Sequence, residues 1–237
     1  GASPSFELCD FESNSANNGG GLGIFQNTGG DVSLLNCTFV ENTASSAGGA
    51  IRGNDAHVLS AVGCWFEANI ANVGGAIRIQ SSTGLSTIED CVFKANVGNS
   101  SGGACGFHNS DADVLNCSFE NNDSPIGGGI RCSGSGSVSI LDSLFCGNLV
   151  DDIAGCGDGD GNTFIEECLD CNENGINDYL DIESGTSIDC NNNGVPDECE
   201  DDCNENGVAD TCDVMNGTSE DVNWNFIPDE CEDDCNE

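Results

Sequence analysis

The stretch from Asn36 to Ile51, NCTFVENTASSAGGAI, decides the fold because it recurs. Its counterparts are LCDFESNSANNGGG from Leu8, GCWFEANIANVGGAI from Gly63, DCVFKANVGNSSGGAC from Asp90, NCSFENNDSPIGGGI from Asn116 and a fading DSLFCGN from Asp142. The anchors Cys9, Cys37, Cys64, Cys91, Cys117 and Ser143 recur at intervals of about 26 to 28 residues. Phe11, Phe39, Phe66, Phe93, Phe119 and Phe145 keep step, as do Asn14, Asn42, Asn69, Asn96, Asn122 and Asn148. A unit of this length, built of short β-rich pieces with a paired glycine and no helical periodicity, fits one coil of a solenoid. Stacking coils about 4.8 Å apart turns each set of equivalent residues into a ladder. Cysteine and phenylalanine, two positions apart, then point the same way, into the core. The asparagines fall at a turn, where their amides can bond backbone groups and the amides of neighbouring coils. Gly48-Gly49, Gly74-Gly75, Gly102-Gly103 and Gly127-Gly128 give the backbone freedom for the next bend. Upstream, Val32/Leu34, Leu59/Ala61, Ser86/Ile88, Ala112/Val114 and Val138/Ile140 alternate as another inward strand.

This half resembles right-handed parallel β-helix proteins, and its FxxN…GGAI phrase is similar to the repeats of polymorphic outer membrane proteins and related bacterial surface proteins. The resemblance covers residues 5 to 165 or so and implies an all-β fold, a right-handed parallel β-helix assigned to residues 1–169. It implies no function, because β-helices host lyases, adhesins and inert scaffolds alike.

From Asp170 the pattern changes to DCNENGINDYLD, DCNNNGVPDECE, DCNENGVADTCD and DVNWNFIPDECE, with a fifth unit opening at Asp234. The starts at Asp170, Asp189, Asp202, Asp221 and Asp234 alternate a long step with a short one, a double repeat assigned to residues 170–237. Oxygen ligands at positions 1, 3, 5, 7, 9 and 12 of a twelve-residue loop, with glycine at 6, can surround Ca²⁺. The first loop offers Asp170, Asn172, Asn174, the Ile176 carbonyl, Asp178 and Asp181; the second Asp189, Asn191, Asn193, the Val195 carbonyl, Asp197 and Glu200. The third offers Asp202, Asn204, Asn206, the Val208 carbonyl, Asp210 and Asp213; the fourth Asp221, Asn223, Asn225, the Ile227 carbonyl, Asp229 and Glu232. About four Ca²⁺ ions are therefore expected, Mg²⁺ being disfavoured by its demand for a tight octahedron. Phe226 stands at the glycine position of the fourth loop, where a bulky side chain resists positive φ. DGDGNTFIEECL from Asp158 departs further from the scheme and is read as the closing turn of the β-helix.

The short step between loop starts leaves no room for paired flanking helices. The array resembles thrombospondin type 3 repeats and, more distantly, dockerin. That resemblance implies an extended, loop-rich calcium-binding region whose core is metal and disulfide.

Cysteine occupies position 2 or 11 of these loops, and Leu180 and Val222 stand where two are missing. Joining position 11 to position 2 of the next loop orphans Cys190 and Cys212, and closing each loop on itself orphans Cys171 and Cys231. Joining position 2 to position 11 of the following loop gives Cys171 with Cys199, Cys190 with Cys212 and Cys203 with Cys231, the preferred scheme. Cys235 then awaits a further segment, and Cys168 must pair back toward Cys146 or Cys156. The column Cys9, Cys37, Cys64, Cys91 and Cys117 is expected to stay reduced as small core hydrophobes.

Composition bounds the function. The 237 residues carry 42 acidic and 4 basic side chains, a formal charge of -38, which calls for bound cations and excludes nucleic acids and anionic membranes as partners. Seventeen cysteines suit an oxidising, extracellular or cell-surface setting, and no apolar run reaches a membrane span. Gly1 is not an initiator, so a removed signal peptide or an excerpt is expected. Sequons at Asn36, Asn99, Asn116, Asn122 and Asn216 make glycosylation an open expectation. The chain opens inside one repeat and stops inside another, so continuation or self-association through coil ends is expected.

No catalytic constellation emerges. Arg52, Arg78 and Arg131 would form an outward ladder interrupted at Gly106, and are expected to pair with surface acids. His57 and His108 are read as turn residues, and Asp31, Asp55, Asp111 and Asp113 as inter-coil turn residues. Only Trp65 and Trp224 could serve as sugar-stacking platforms. The sequence thus points to a non-enzymatic structural element of a cell-surface layer, stalk or filament. An adhesin or glycan-binding module comes second and a polysaccharide lyase or hydrolase third.

Overall fold

The computed structural model describes residues 3–25, 31–54 and 58–232. The chain divides into two compact units, Gly1–Glu167 and Cys168–Glu237. Asp55, His57, Asp234 and Cys235 lie outside the described residues.

The first unit is a parallel β-solenoid of about five turns. Each of the first four coils lends one short strand to each of four parallel sheets, and the later coils contribute to the first, second and fourth. The first sheet takes Ser5–Glu7, Val32–Leu35, Leu59–Val62, Ser86–Glu89, Ala112–Leu115 and Val138–Leu141. Alternation decides its inward face, for Val32 and Leu34 are buried while Ser33 and Leu35 are exposed. The second sheet carries the phenylalanine column through Asp10–Glu12, Thr38–Val40, Trp65–Glu67, Val92–Lys94, Ser118–Glu120, Leu144–Cys146 and Thr163–Ile165. The third holds Ser15–Asn18, Thr43–Ala47, Ile70–Val73 and Val97–Ser101. The fourth holds Leu22–Ile24, Ile51–Asn54, Ile77–Gln80, Cys105–His108, Ile130–Ser133 and Ile153–Ala154.

In-register pairing places Phe39 between Phe11 and Phe66, and so on along the column. The rings stack with centroids 4.5 to 5.2 Å apart from Phe11 to Phe164. Phe164 thereby extends the column by one coil, and Asn162 accepts from the Ser143 N–H with its Oδ1. The segment after Asp158 is therefore a further strand-bearing coil and not only a closing turn.

Beside the rings runs a ladder of amides. Asn96 Nδ2 donates to Asn122 Oδ1 at 3.0 Å and to the Phe66 carbonyl at 2.9 Å, while its Oδ1 accepts the Asn69 N–H and Nδ2. The same pattern links Asn14, Asn42, Asn69, Asn122 and Asn148 to their neighbours. Because an amide carries both donor and acceptor, each rung satisfies the next although Asn42, Asn69, Asn96 and Asn122 are wholly buried. Burial removes Asn122 as a glycan acceptor in the folded chain, whereas Asn36, Asn99, Asn116 and Asn216 are exposed.

Corners carry left-handed residues. Gly48 has φ +65°, and a Cβ on Gly49 would lie 2.1 Å from the Gly75 carbonyl oxygen of the next coil. Sequence reading found these glycines but missed Ala68 and Ala95, which turn the corner before the asparagines at φ +52° and +54°.

The cysteine column is reduced. Cys37, Cys64, Cys91 and Cys117 each donate a thiol to the carbonyl two residues earlier, and Ser143 does the same with its hydroxyl. The hydrogen bond with the Cys91 thiol, and then burial, raises the Cys64 thiol well above the ordinary range. This favours the inert thiol over the reactive thiolate. Cys132 bonds to Cys156, a pairing that the repeat gave no reason to expect, and so removes Cys156 as a partner for Cys168. Cys146 and Cys168 are disulfide-bonded as well.

Replacing Asn96 by Ala strands the buried Asn69 amide and the Phe66 carbonyl, and should cost about 2–4 kcal/mol on the scale of unsatisfied buried polar groups. Urea titration of the variant measures this, and a loss under about 0.5 kcal/mol would show the ladder to be dispensable.

Candidate metal centre

The second unit is a string of turns with little apolar interior. Its alternation of long and short steps has a simple origin. The first and third loops run into helices, α1 (Asp178–Ser184) and α2 (Asp210–Asn216). Each is closed by a left-handed glycine, Gly185 at φ +74° or Gly217 at φ +72°. The second and fourth loops end in single 3₁₀ turns, Asp197–Cys199 and Asp229–Cys231, each preceded by proline. Sequence reading expected no helices here; two turns of helix with no apolar stripe leave little periodic signal, and only the glycines mark them.

Within each loop the candidate ligands at positions 1, 3, 5 and 12 converge. Asp170 accepts the Asn174 and Gly175 N–H groups, and Asn172 and Asn174 accept the N–H two residues ahead. The Asn172 and Asn174 amides both reach Asp181 Oδ2, at 3.3 and 2.8 Å. In the second loop Asp189, Asn191 and Asn193 are arranged in the same way toward Glu200. Asp202, Asn204 and Asn206 repeat it around Asp213. The fourth loop, despite Phe226, has the same bonds from Asp221, Asn223 and Asn225 to Glu232. Phe226 adopts φ +66° where the other loops have glycine, and position 4 is left-handed throughout, at Glu173, Asn192, Glu205 and Trp224.

Position 9 behaves differently. Asp178, Asp197, Asp210 and Asp229 each accept the backbone N–H of position 2, which ties the loop shut. At position 7 the N–H groups of Ile176, Val195, Val208 and Ile227 close turns onto the asparagine two residues before.

Two observations test whether a cation fits. Asp178 and Asp181 are 3% and 0% exposed, and Oδ2 of the first and Oδ1 of the second have no hydrogen-bond partner. A buried carboxylate oxygen without a partner costs free energy that a cation would recover. The converging donors are hard oxygens, the set that suits Ca²⁺ and Mg²⁺ rather than softer metals. Asp213 is equally buried, and the Thr218 hydroxyl, followed by the Asn206 and Asn204 amides, holds its carboxyl below the usual range.

Three clusters also place a carboxylate within 4.8 Å of two sulfurs: Cys171, Asp178 and Cys199; Cys190, Asp197 and Cys212; Cys203, Asp210 and Cys231. These sulfurs are joined as disulfides, with Cα separations of 5.9, 6.0 and 5.8 Å, and offer no thiolate to a metal. The position-2 to position-11 scheme is thus the one that forms.

Sequence reasoning missed the contacts that knit neighbouring loops. Glu198 accepts from the Ser187 hydroxyl and from Asn172 of the preceding loop, and Glu230 does the same in the next double repeat with Ser219 and Asn204. Both carboxyls are held below their ordinary range, first by these serine hydroxyls. The signal was present in the repeat, since Glu recurs at position 10 only in the second and fourth loops.

Among the described residues no helix is long and apolar enough to cross a membrane. No protein-family model matches the chain, and neither a curated protein nor a solved structure is significantly similar to it.

Phe226→Gly should relieve a left-handed cost of about 1–2 kcal/mol. It should stabilise the chain by a comparable amount in denaturant titration. A destabilised variant would show that the exposed ring contributes contacts of its own.

Proposed function

We propose that this chain is an extracellular, calcium-loaded structural protein of a cell-surface layer, stalk or filament, and not an enzyme. The observation that carries the reading is the pair of orphaned carboxylate oxygens at Asp178 and Asp181, set in a loop whose arrangement recurs four times. A chain that buries acids in this way needs ions to hold its second unit together. Calcium is the preferred ion because six ligating groups, with both oxygens of the position-12 carboxylate engaged, would supply seven oxygens, one more than an octahedron accommodates. Three carboxylates per loop fall from about -3 to about -1 on binding one divalent ion, which lowers the repulsion of a chain of charge -38. The resemblance to thrombospondin type 3 repeats supports the same reading, and the five disulfides suit an oxidising compartment outside the cell. Self-association through the solenoid's coil ends would give the filament or layer.

The non-enzymatic reading draws on the sites themselves. His108 ends a strand, where its Nδ1 meets Ser133 Oγ at 3.0 Å and its Nε2 meets Asn109. Asp31 and Asp111 accept backbone N–H groups between coils, while Asp113 lies on a strand rather than in the turn expected for it. None of these groups is set against another as an acid–base pair.

Calorimetry of the full chain should find about four calcium ions per molecule, by the count of complete loops. Chelation should loosen the second unit, read by proteolysis after residue 169, while the β-rich circular dichroism of the solenoid persists. Uptake of fewer than two ions would overturn the calcium reading. Electron microscopy with calcium that shows only single particles at high concentration would overturn the filament reading.

A further inference from the structure

Three of the four basic residues in this acidic chain stand in one column of the fourth sheet. Arg52 pairs in register with Arg78, Arg78 with Gly106, and Gly106 with Arg131. All four positions face outward, opposite to the buried Ile51, Ile77, Cys105 and Ile130. The four strands that carry them contain no Asp or Glu, in a chain with 42.

The expected pairing with surface acids does not occur at Arg78 or Arg131, neither of which forms an ion pair among the described residues. Lys94, by contrast, meets Glu120 of the next coil at 3.9 Å. Arg78 is nonetheless only 9% exposed. It lies over Gly106, where a Cβ would come within 3.0 Å of its Nη1 and 3.5 Å of Val73 Cγ1. Arg131 leans the same way over Gly155, whose added Cβ would fall 2.7 Å from Arg131 Nη1. Arg52 likewise reaches Gln80 of the next coil at 2.9 Å. The break at Gly106 therefore makes room for the guanidinium of the coil before. Burial, and then the Arg52 charge, pulls the Arg78 guanidinium down to about 10. A guanidinium as buried as that of Arg78, with no ion pair among the described residues, is stabilised by an anion brought against it.

We infer that this arginine column is a binding site for a linear anionic polysaccharide, one whose carboxylate or sulfate groups lie along the solenoid axis. Length supports a polymer. Arg52, Arg78 and Arg131 span three coil spacings, roughly 14 Å at about 4.8 Å per coil, which is more than one oxyanion can bridge. The neighbouring outward column includes Gln80 and His108, which can bond hydroxyls. An acidic peptide fits less well, because the strands that carry the column have both edges paired and cannot accept an added strand. The chain's own charge of -38 repels polyanions at a distance, so binding should be strongest with calcium bound and ordinary salt present.

Calorimetry of the full chain in calcium, with dextran sulfate oligosaccharides in one arm and oligogalacturonates in the other, tests this and separates sulfate from carboxylate recognition. Arg78→Gln and the less buried Arg131→Gln should each weaken binding about tenfold or more, as loss of a charged fork should. Lys94→Gln should leave it unchanged. The site is overturned if neither polymer binds, if Lys94→Gln weakens binding as much as Arg131→Gln, or if polyglutamate of matched charge binds equally well. Inorganic sulfate binding as tightly as the oligosaccharide would equally overturn it, by reducing the site to a single-ion contact.

Discussion

Parallel hydrogen bonding between successive coils holds equivalent residues about 4.8 Å apart, so a residue type repeated once per coil meets its own kind. The rest of the solenoid follows from which side chains tolerate that company. Phenylalanine does, because flat rings stack at this spacing. Asparagine does, because its amide is donor on one side and acceptor on the other, and the ladder closes without a buried orphan. Cysteine does as a neutral thiol, which at Cys91 the hydrogen bond with the Cys117 thiol, and then burial, keep from ionising. Arginine does not. Burial penalises the guanidinium of Arg78, which stands in register with Arg52 and forms no ion pair among the described residues.

The second unit meets the opposite problem. Its few buried side chains include Asp178, Asp181, Asp210 and Asp213, so little apolar area is removed from water. Disulfides between position 2 and position 11 of the following loop overlap along the chain, and each is worth about 2–4 kcal/mol by constraining the unfolded state. Glu198 and Glu230 add side-chain bonds that reach back one loop. These links set the loops in order, while the converged carboxylates leave a need for positive charge that side chains cannot meet, since no Lys or Arg follows Asp170.

The solenoid was legible because its periodicity is carried by core residues. Cys37, Phe39 and Asn42 recur with their spacing intact, and in-register stacking converts spacing directly into contact. The left-handed corners at Ala68 and Ala95 were not legible, since alanine carries no signature of positive φ and the conformation is imposed by the coils on either side. The Cys132 to Cys156 bond escaped for a related reason: Cys156 belongs to no repeated column. In the second unit the loop repeat and the disulfide scheme were readable from positions 2 and 11, but the fate of position 9 was not. Asp178 and its counterparts turn to a backbone N–H that only the folded loop presents.

By itself the sequence determined the coil, the columns and the loops, because each is a local pattern repeated at a fixed interval. Tertiary structure alone decided what the outward residues do. Whether Arg78 would find an acid, lie in solvent or stand buried beside another arginine depends on how one coil seats on the next, and on the space left by Gly106 one coil further on.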